Sequence, residues 1–234
     1  MNRRMLLLAT VLLTWIAIPA LAQPDRSEIH ANAADVQPLL PGMKAPSFDV
    51  LNVQGETAHF DPGSMQKPLV LSFFRGGWCP YCNLHLAELR KAESQLQSMG
   101  FDIWFISIDR PELLYESLEQ PGIAYTILSD SGLNATRSFG LAFRVDDATV
   151  TRYQQHDIDL EAASGETHHV LPAPSTFIIG SDGVIRFQYT NPDYAVRLHP
   201  DVLLAAARAY SDEADSRLRR QYKANKEAMQ SSGD

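Results

Sequence analysis

Cysteine is almost absent from this 234-residue chain: there are two, Cys79 and Cys82. A framework of disulfide staples is therefore excluded, and a chain of this length can bury an adequate core without one. Basic charge is also short. Twenty Lys and Arg stand against 28 Asp and Glu, a net charge of −8. That argues against nucleic acid as a partner, because phosphate binding needs a basic face. There are no internal repeats. No histidine follows Cys82 directly, since Asn83 stands there, and this excludes a c-type haem attachment. A structural zinc site would need two further ligands; His85, His168 and His169 are the candidates.

The N-terminus reads as an export signal, with Arg3 and Arg4, an apolar stretch from Leu6 to Ile18, and Ala20-Leu21-Ala22 as a small-residue cleavage site. The apolar stretch is short for a full membrane span. No cysteine lies near the cleavage point to anchor a lipid. The expectation is a signal peptide over 1–22, export to a bacterial periplasm, and no stable membrane association after cleavage. Thiols can be oxidised in that compartment.

Residues 23–40 read as a flexible lead, 41–210 as the folded domain, and 211–234 as a charged tail. Phe48 to Val53 and Thr57 to Phe60 suit a hairpin across Gln54-Gly55. Leu69 to Phe74 is nearly continuous in apolar residues, the pattern of a strand buried on both faces. From Pro80 to Met99 apolar residues recur at helical spacing, with Gly100 as a stop, and Phe101 to Ile108 is a second buried strand. Strand, helix, strand makes a βαβ unit. Helices are expected over 111–119, 133–139 and 201–210, and strands over 125–128, 175–179 and 184–189. In the last strand Ile185, Phe187 and Tyr189 should share one face. Residues 144–169 are polar and aperiodic and read as an insertion or lid.

The cysteine pair sits where a buried strand ends and a helix begins, in Arg75-Gly76-Gly77-Trp78-Cys79-Pro80-Tyr81-Cys82. That context makes Cys-x-x-Cys a redox signal. Unpaired N–H groups and the dipole at a helix N-terminus favour thiolate over thiol. Pro80 suits the first helical position. A disulfide across so small a loop would barely constrain the unfolded chain, so a catalytic role fits better than a stabilising one. Arg75 is either a support for the thiolate or a loop cation. Trp78 either shields the site or packs. Pro174 precedes the strand at 175–179 and is a candidate supporting residue.

These segments resemble the AhpC/TSA peroxiredoxin family, in its branch with an Arg-Gly-x-Trp-Cys-Pro-x-Cys motif. Gly42 to Phe48 is similar to that family's opening strand, Ser129-Asp130 through Phe139-Gly140 to its Ser-Asp…Tyr-Gly segment, and Pro174 to Ile179 with Asp182 to Arg186 to its closing strands. The likeness spans roughly residues 41–210. It implies an α/β thioredoxin-like three-layer sandwich: a central mixed sheet flanked by helices, with an N-terminal β extension. It also implies a cis bond before Pro174. In the peroxiredoxin register Cys82 is the peroxide-attacking cysteine and Cys79 stands where the family carries Thr. In the thioredoxin register Cys79 attacks and Cys82 resolves. Pro174 falls where many peroxiredoxins carry an arginine. The implied activity is reduction of hydroperoxides by a dithiol/disulfide cycle, reset by an external thioredoxin-like reductant, with no cofactor and no metal. Two other readings stand beside it: a thiol–disulfide oxidoreductase acting on protein disulfides, and a metal-binding chaperone on the same scaffold.

Overall fold

In the computed structural model, residues 25–117, 125–210 and 217–231 are described. The expected signal peptide lies outside them. The strands are β1 (Phe48–Leu51), β2 (Thr57–Phe60), β3 (Leu69–Phe73), β4 (Asp102–Ser107), β5 (Thr126–Ser129), β6 (Ala142–Arg144), β7 (Val170–Pro172), β8 (Ser175–Ile179) and β9 (Ile185–Thr190). The helices are α1 (Pro80–Ser98), α2 (Pro111–Ser117), α3 (Asn134–Ser138), α4 (Asp147–Gln154), α5 (Leu160–Ser164), α6 (Pro200–Ala209) and α7 (Arg217–Ser231). Among them, none is long and apolar enough to cross a membrane.

Seven strands form one sheet in the order β2-β1-β5-β4-β3-β8-β9. β3, β4 and β5 run parallel, while β8 and β9 are antiparallel additions on one side. The β1–β2 hairpin extends the other edge, as the resemblance implies. The segment expected as an opening strand instead starts in a turn at Gly42-Met43 and makes one bridge, Lys44 to Val184, before β1 begins at Phe48.

β3 is central, and its side chains explain its place. Val70 and Phe74 face a core built with α1 and α6, while Leu69, Leu71 and Phe73 face the opposite core with Phe139 and Phe177. Each such side chain taken out of water contributes roughly 1.5–3 kcal/mol. Ser72 is the polar exception on β3, and its hydroxyl is satisfied by Thr176 Oγ1 at 3.1 Å and Ser175 O at 3.3 Å.

Three expectations need correction. Residues 25–40 are not a free lead. Arg26 Nη1 donates to Gln37 O and Pro38 O, the His30 backbone brackets β6, and Gln37 N and Leu39 N donate to Gly140 O and Phe139 O. Residues 144–169 are not an irregular lid. Asp146 and Asp159 cap α4 and α5 by accepting from Thr149 N and Ala162 N, and these helices close a small core with Ile108, Val145, Val150, Leu160 and Leu171. In β9, Arg186 is an extra residue opposite the Ile178–Ile179 step of β8, and this bulge breaks the alternation. Ile185 therefore packs into one core, while Phe187 and Tyr189 pack on the other. The charged tail carries α7, whose described side chains from Arg220 onward are exposed.

Gly140 shows how closely the lead is held. Its φ is +71°, and a Cβ there would collide with Gln37 O. Gly140→Ala should therefore destabilise the protein by roughly 1–3 kcal/mol, read as a lower midpoint in thermal or denaturant unfolding. An unchanged midpoint would show that the lead can move away freely.

Candidate active site

The site forms where β3 gives way to α1. Phe74 N donates to Ile106 O, the last link to the sheet, and the chain then turns through Arg75, Gly76 and Gly77. Asp109, just beyond β4, holds this turn: its Oδ2 accepts Gly77 N at 2.6 Å and Ser107 Oγ at 3.2 Å. Gly76 has φ +153°, and a Cβ on it would collide with Trp78 Nε1 and lie 2.6 Å from Asp109 Oδ1. Only glycine lets these two polar atoms close over the turn.

Cys79 is the N-cap of α1 and Pro80 its first residue, as expected. Cys82 N and Asn83 N donate to Cys79 O, and Asn83 Nδ2 ties back to Gly77 O. Both cysteines are free thiols, 2% and 0% exposed. Their environments split them. Cys79 is brought down to about 6, first because the Cys82 thiol hydrogen-bonds to it, then by the Cys82 backbone N–H and the charges of Arg75 and Arg197, all against burial. Cys82 is pushed up, first by being the donor in that hydrogen bond and next by burial. Both directions favour the thiolate on Cys79 rather than on Cys82.

Arg75 is 3% exposed. Its Nη2 donates to Tyr153 Oη, and its guanidinium carbon lies 4.2 Å from the Tyr194 ring centre, 5.1 Å from Trp78 and 5.5 Å from Tyr153. Such cation–π contacts are worth roughly 0.5–2 kcal/mol each. Trp78 therefore packs, but it packs on Arg75 and Tyr153, inside the site. Pro174 is buried and lines a cavity with Arg75 and Tyr194. Its preceding bond is trans, contrary to what the resemblance implied: no peptide bond among the described residues is cis.

Four residues of the site, Arg197, Tyr153, Tyr194 and Asp109, carried no signal in the sequence as site residues. Arg197, in the β9–α6 connection, donates from Nη2 to Cys82 Sγ at 3.2 Å and from Nε to Tyr194 O at 2.6 Å. Tyr153, Tyr194 and Asp109 join it, Asp109 being raised to about 6 by burial. His85 lies one turn after Cys82, and its Nε2 contacts Leu198 O at 3.1 Å, fixing the residue after Arg197. Burial lowers His85 to about 4, so it is neutral at pH 7 and donates to that carbonyl. His168 and His169 go instead to Ser131 O and Glu161. Among the described residues no three His, Cys, Asp or Glu side chains converge as a metal site.

Residues 41–188 match the model of the AhpC/TSA family. The chain belongs to the AhpC/TSA family. Relatives of it include Peroxiredoxin Bcp of Escherichia coli (strain K12), 27% identical over 169 residues, or 72% of this chain and 96% of Bcp. Thiol-disulfide oxidoreductase ResA of Halalkalibacterium halodurans is 24% identical over 118 residues, half of this chain and 60% of ResA. The fold is shared with the peroxidoxin BcpB of Mycobacterium tuberculosis, at TM-score 0.55 and 18% identity, covering 73% of this chain and 97% of that one. Peroxiredoxin Q of Xanthomonas campestris gives TM-score 0.54 at 17% identity, covering 75% and 98%. Pro174 brings no charge to the pair, and the guanidinium on Cys82 comes from Arg197.

The thiolate absorbance of the reduced protein should rise with a midpoint near pH 6, well below the 9.0 of an ordinary thiol. Because an unfolded chain still holds that proton between these values, unfolding free energy should rise with pH from 6 to 9. The rise should be missing in Cys79→Ser, and Arg197→Gln should move the midpoint upward. A titration near 9 in the unaltered protein would refute this electrostatic account.

Proposed function

We propose that this chain is an exported thiol peroxidase that reduces hydroperoxides through a dithiol/disulfide cycle of Cys79 and Cys82. The observation that carries the reading is geometric: Cys79 caps the N-terminus of α1, where the helix favours its thiolate, and Cys82 lies one turn on with the Arg197 guanidinium 3.2 Å from its sulfur. Only the thiolate is a competent nucleophile, so Cys79 attacks. Its sulfur bonds to one peroxide oxygen, the O–O bond breaks, and the departing oxygen takes a proton and leaves as water or alcohol. Cys79 becomes a sulfenic acid. The Cys82 sulfur then displaces water from it, and the disulfide forms. Two external thiols return two electrons and two protons; a thioredoxin-like protein fits that role. Arg75 and Arg197 face the sulfurs with guanidinium charge, which favours the negative charge that develops on the departing oxygen.

Burial supports a small oxidant. With Cys79 2% and Cys82 0% exposed, a protein disulfide cannot approach either sulfur directly. Similarity to ResA supports the second reading, exchange with protein disulfides, over half of the chain. Export and a periplasmic location rest on the presequence, Arg3-Arg4 through Ala22.

Rapid mixing of the reduced protein with hydrogen peroxide tests the reading. Oxidation should be far faster than for a simple dithiol and should consume both thiols. Cys79→Ser should abolish it. Cys82→Ser should leave one turnover ending in sulfenic acid, and Arg197→Gln should slow the reaction by on the order of 10²-fold. The opposite behaviour of the two serine variants would assign attack to Cys82. A rate no faster than a free dithiol would favour exchange.

A further inference from the structure

We propose that the cavity beside Arg75 binds a small organic carboxylate, and binds it more tightly when Cys79 and Cys82 are joined as a disulfide than when they are reduced. The cavity has a volume of about 310 Å³, the scale of a small-ligand pocket. Its walls include the rings of Tyr153, Tyr194 and Phe143, which suit an apolar body. Its charges are three guanidiniums, Arg75, Arg144 and Arg152, against one carboxylate, Asp146. That carboxylate is already engaged with Thr149 N at 2.9 Å. The excess of positive charge runs against the whole chain, which carries −8.

Arg75 makes the site more than a basic surface. It is 3% exposed, and the one side-chain hydrogen bond it forms among the described residues goes to a neutral hydroxyl, Tyr153 Oη. Its Nε is buried with no partner. A buried cation is costly unless a counter-charge lies near. In the reduced protein that charge is the Cys79 thiolate, which Arg75 in turn favours.

Oxidation removes it. A thiolate and a thiol lose two electrons and one proton to give a neutral disulfide, and Arg75 stays charged. An incoming carboxylate then meets a guanidinium that has lost its anionic counter-charge. The redox dependence rests on the dithiol cycle proposed above; the binding itself does not. By linkage, an anion that prefers the disulfide makes it harder to reduce.

The experiment is calorimetric titration of phenylacetate into the oxidised and reduced protein, with neutral phenylacetamide as control. Phenylacetate should bind the disulfide form at least tenfold more tightly. Saturating phenylacetate should then lower the midpoint potential by about 30 mV. Phenylacetamide should not bind. Arg75→Gln should abolish binding. Arg152→Gln, an exposed change that spares the fold, should weaken it several-fold. No phenylacetate binding in either state, or equal binding of the amide, would overturn the site. Equal affinity for both states would overturn the redox dependence. Peroxide consumption measured without phenylacetate reports on the cycle alone, so loss of that activity with binding intact strikes the peroxidase reading and leaves the site standing.

Discussion

Two guanidiniums lie beside a sulfur pair, and neither forms an ion pair with a carboxylate among the described residues. That constraint organises the site. A charge taken out of water must be compensated, and here aromatic faces, a phenol, a backbone carbonyl and the sulfurs themselves supply the compensation. A carboxylate in the same place would neutralise the arginines and return Cys79 toward an ordinary thiol. Asp109 is turned to Gly77 N and Ser107 and is raised to about 6 by burial.

The cage around Arg75 draws on three parts of the chain. Trp78 comes from the turn itself, Tyr153 from α4 and Tyr194 from the β9–α6 connection. The same connection delivers Arg197 to Cys82, and α1 steadies it through His85. One helix thus carries the pair and also the residue that fixes the cation on it. The head of β8, where Pro174 stands, brings no charge to the pair; the guanidinium arrives from the β9–α6 connection instead.

The frame of the protein was legible because it depends on local pattern. The run Leu69 to Phe74 is apolar at every position but Ser72, and the helical spacing after Pro80 is clear, so β3, α1 and the pair between them follow directly. The segment 144–169 was not legible as structure. α4 and α5 have 8 and 5 residues, too short for an amphipathic stripe to rise above chance, although Asp146 and Asp159 stand as caps. Arg197 and Tyr194 were hidden for a different reason. Their roles exist only through contacts across more than a hundred residues, and an arginine or tyrosine in a connection looks the same with or without such a contact. The β9 face was misread because a bulge is a property of pairing, which one strand's sequence does not contain.

The span of those contacts has a consequence for how the protein becomes reactive. Arg197 reaches Cys82 across 115 positions, and Arg75 reaches Tyr153 across 78. Contacts this remote carry a loop-closure cost and form late in folding. A freshly emerged chain therefore has Arg197 far from Cys82 and Arg75 not yet caged by its aromatic neighbours. Reactivity arrives only with completed tertiary structure, so the nascent polypeptide is spared the oxidation that its finished form invites.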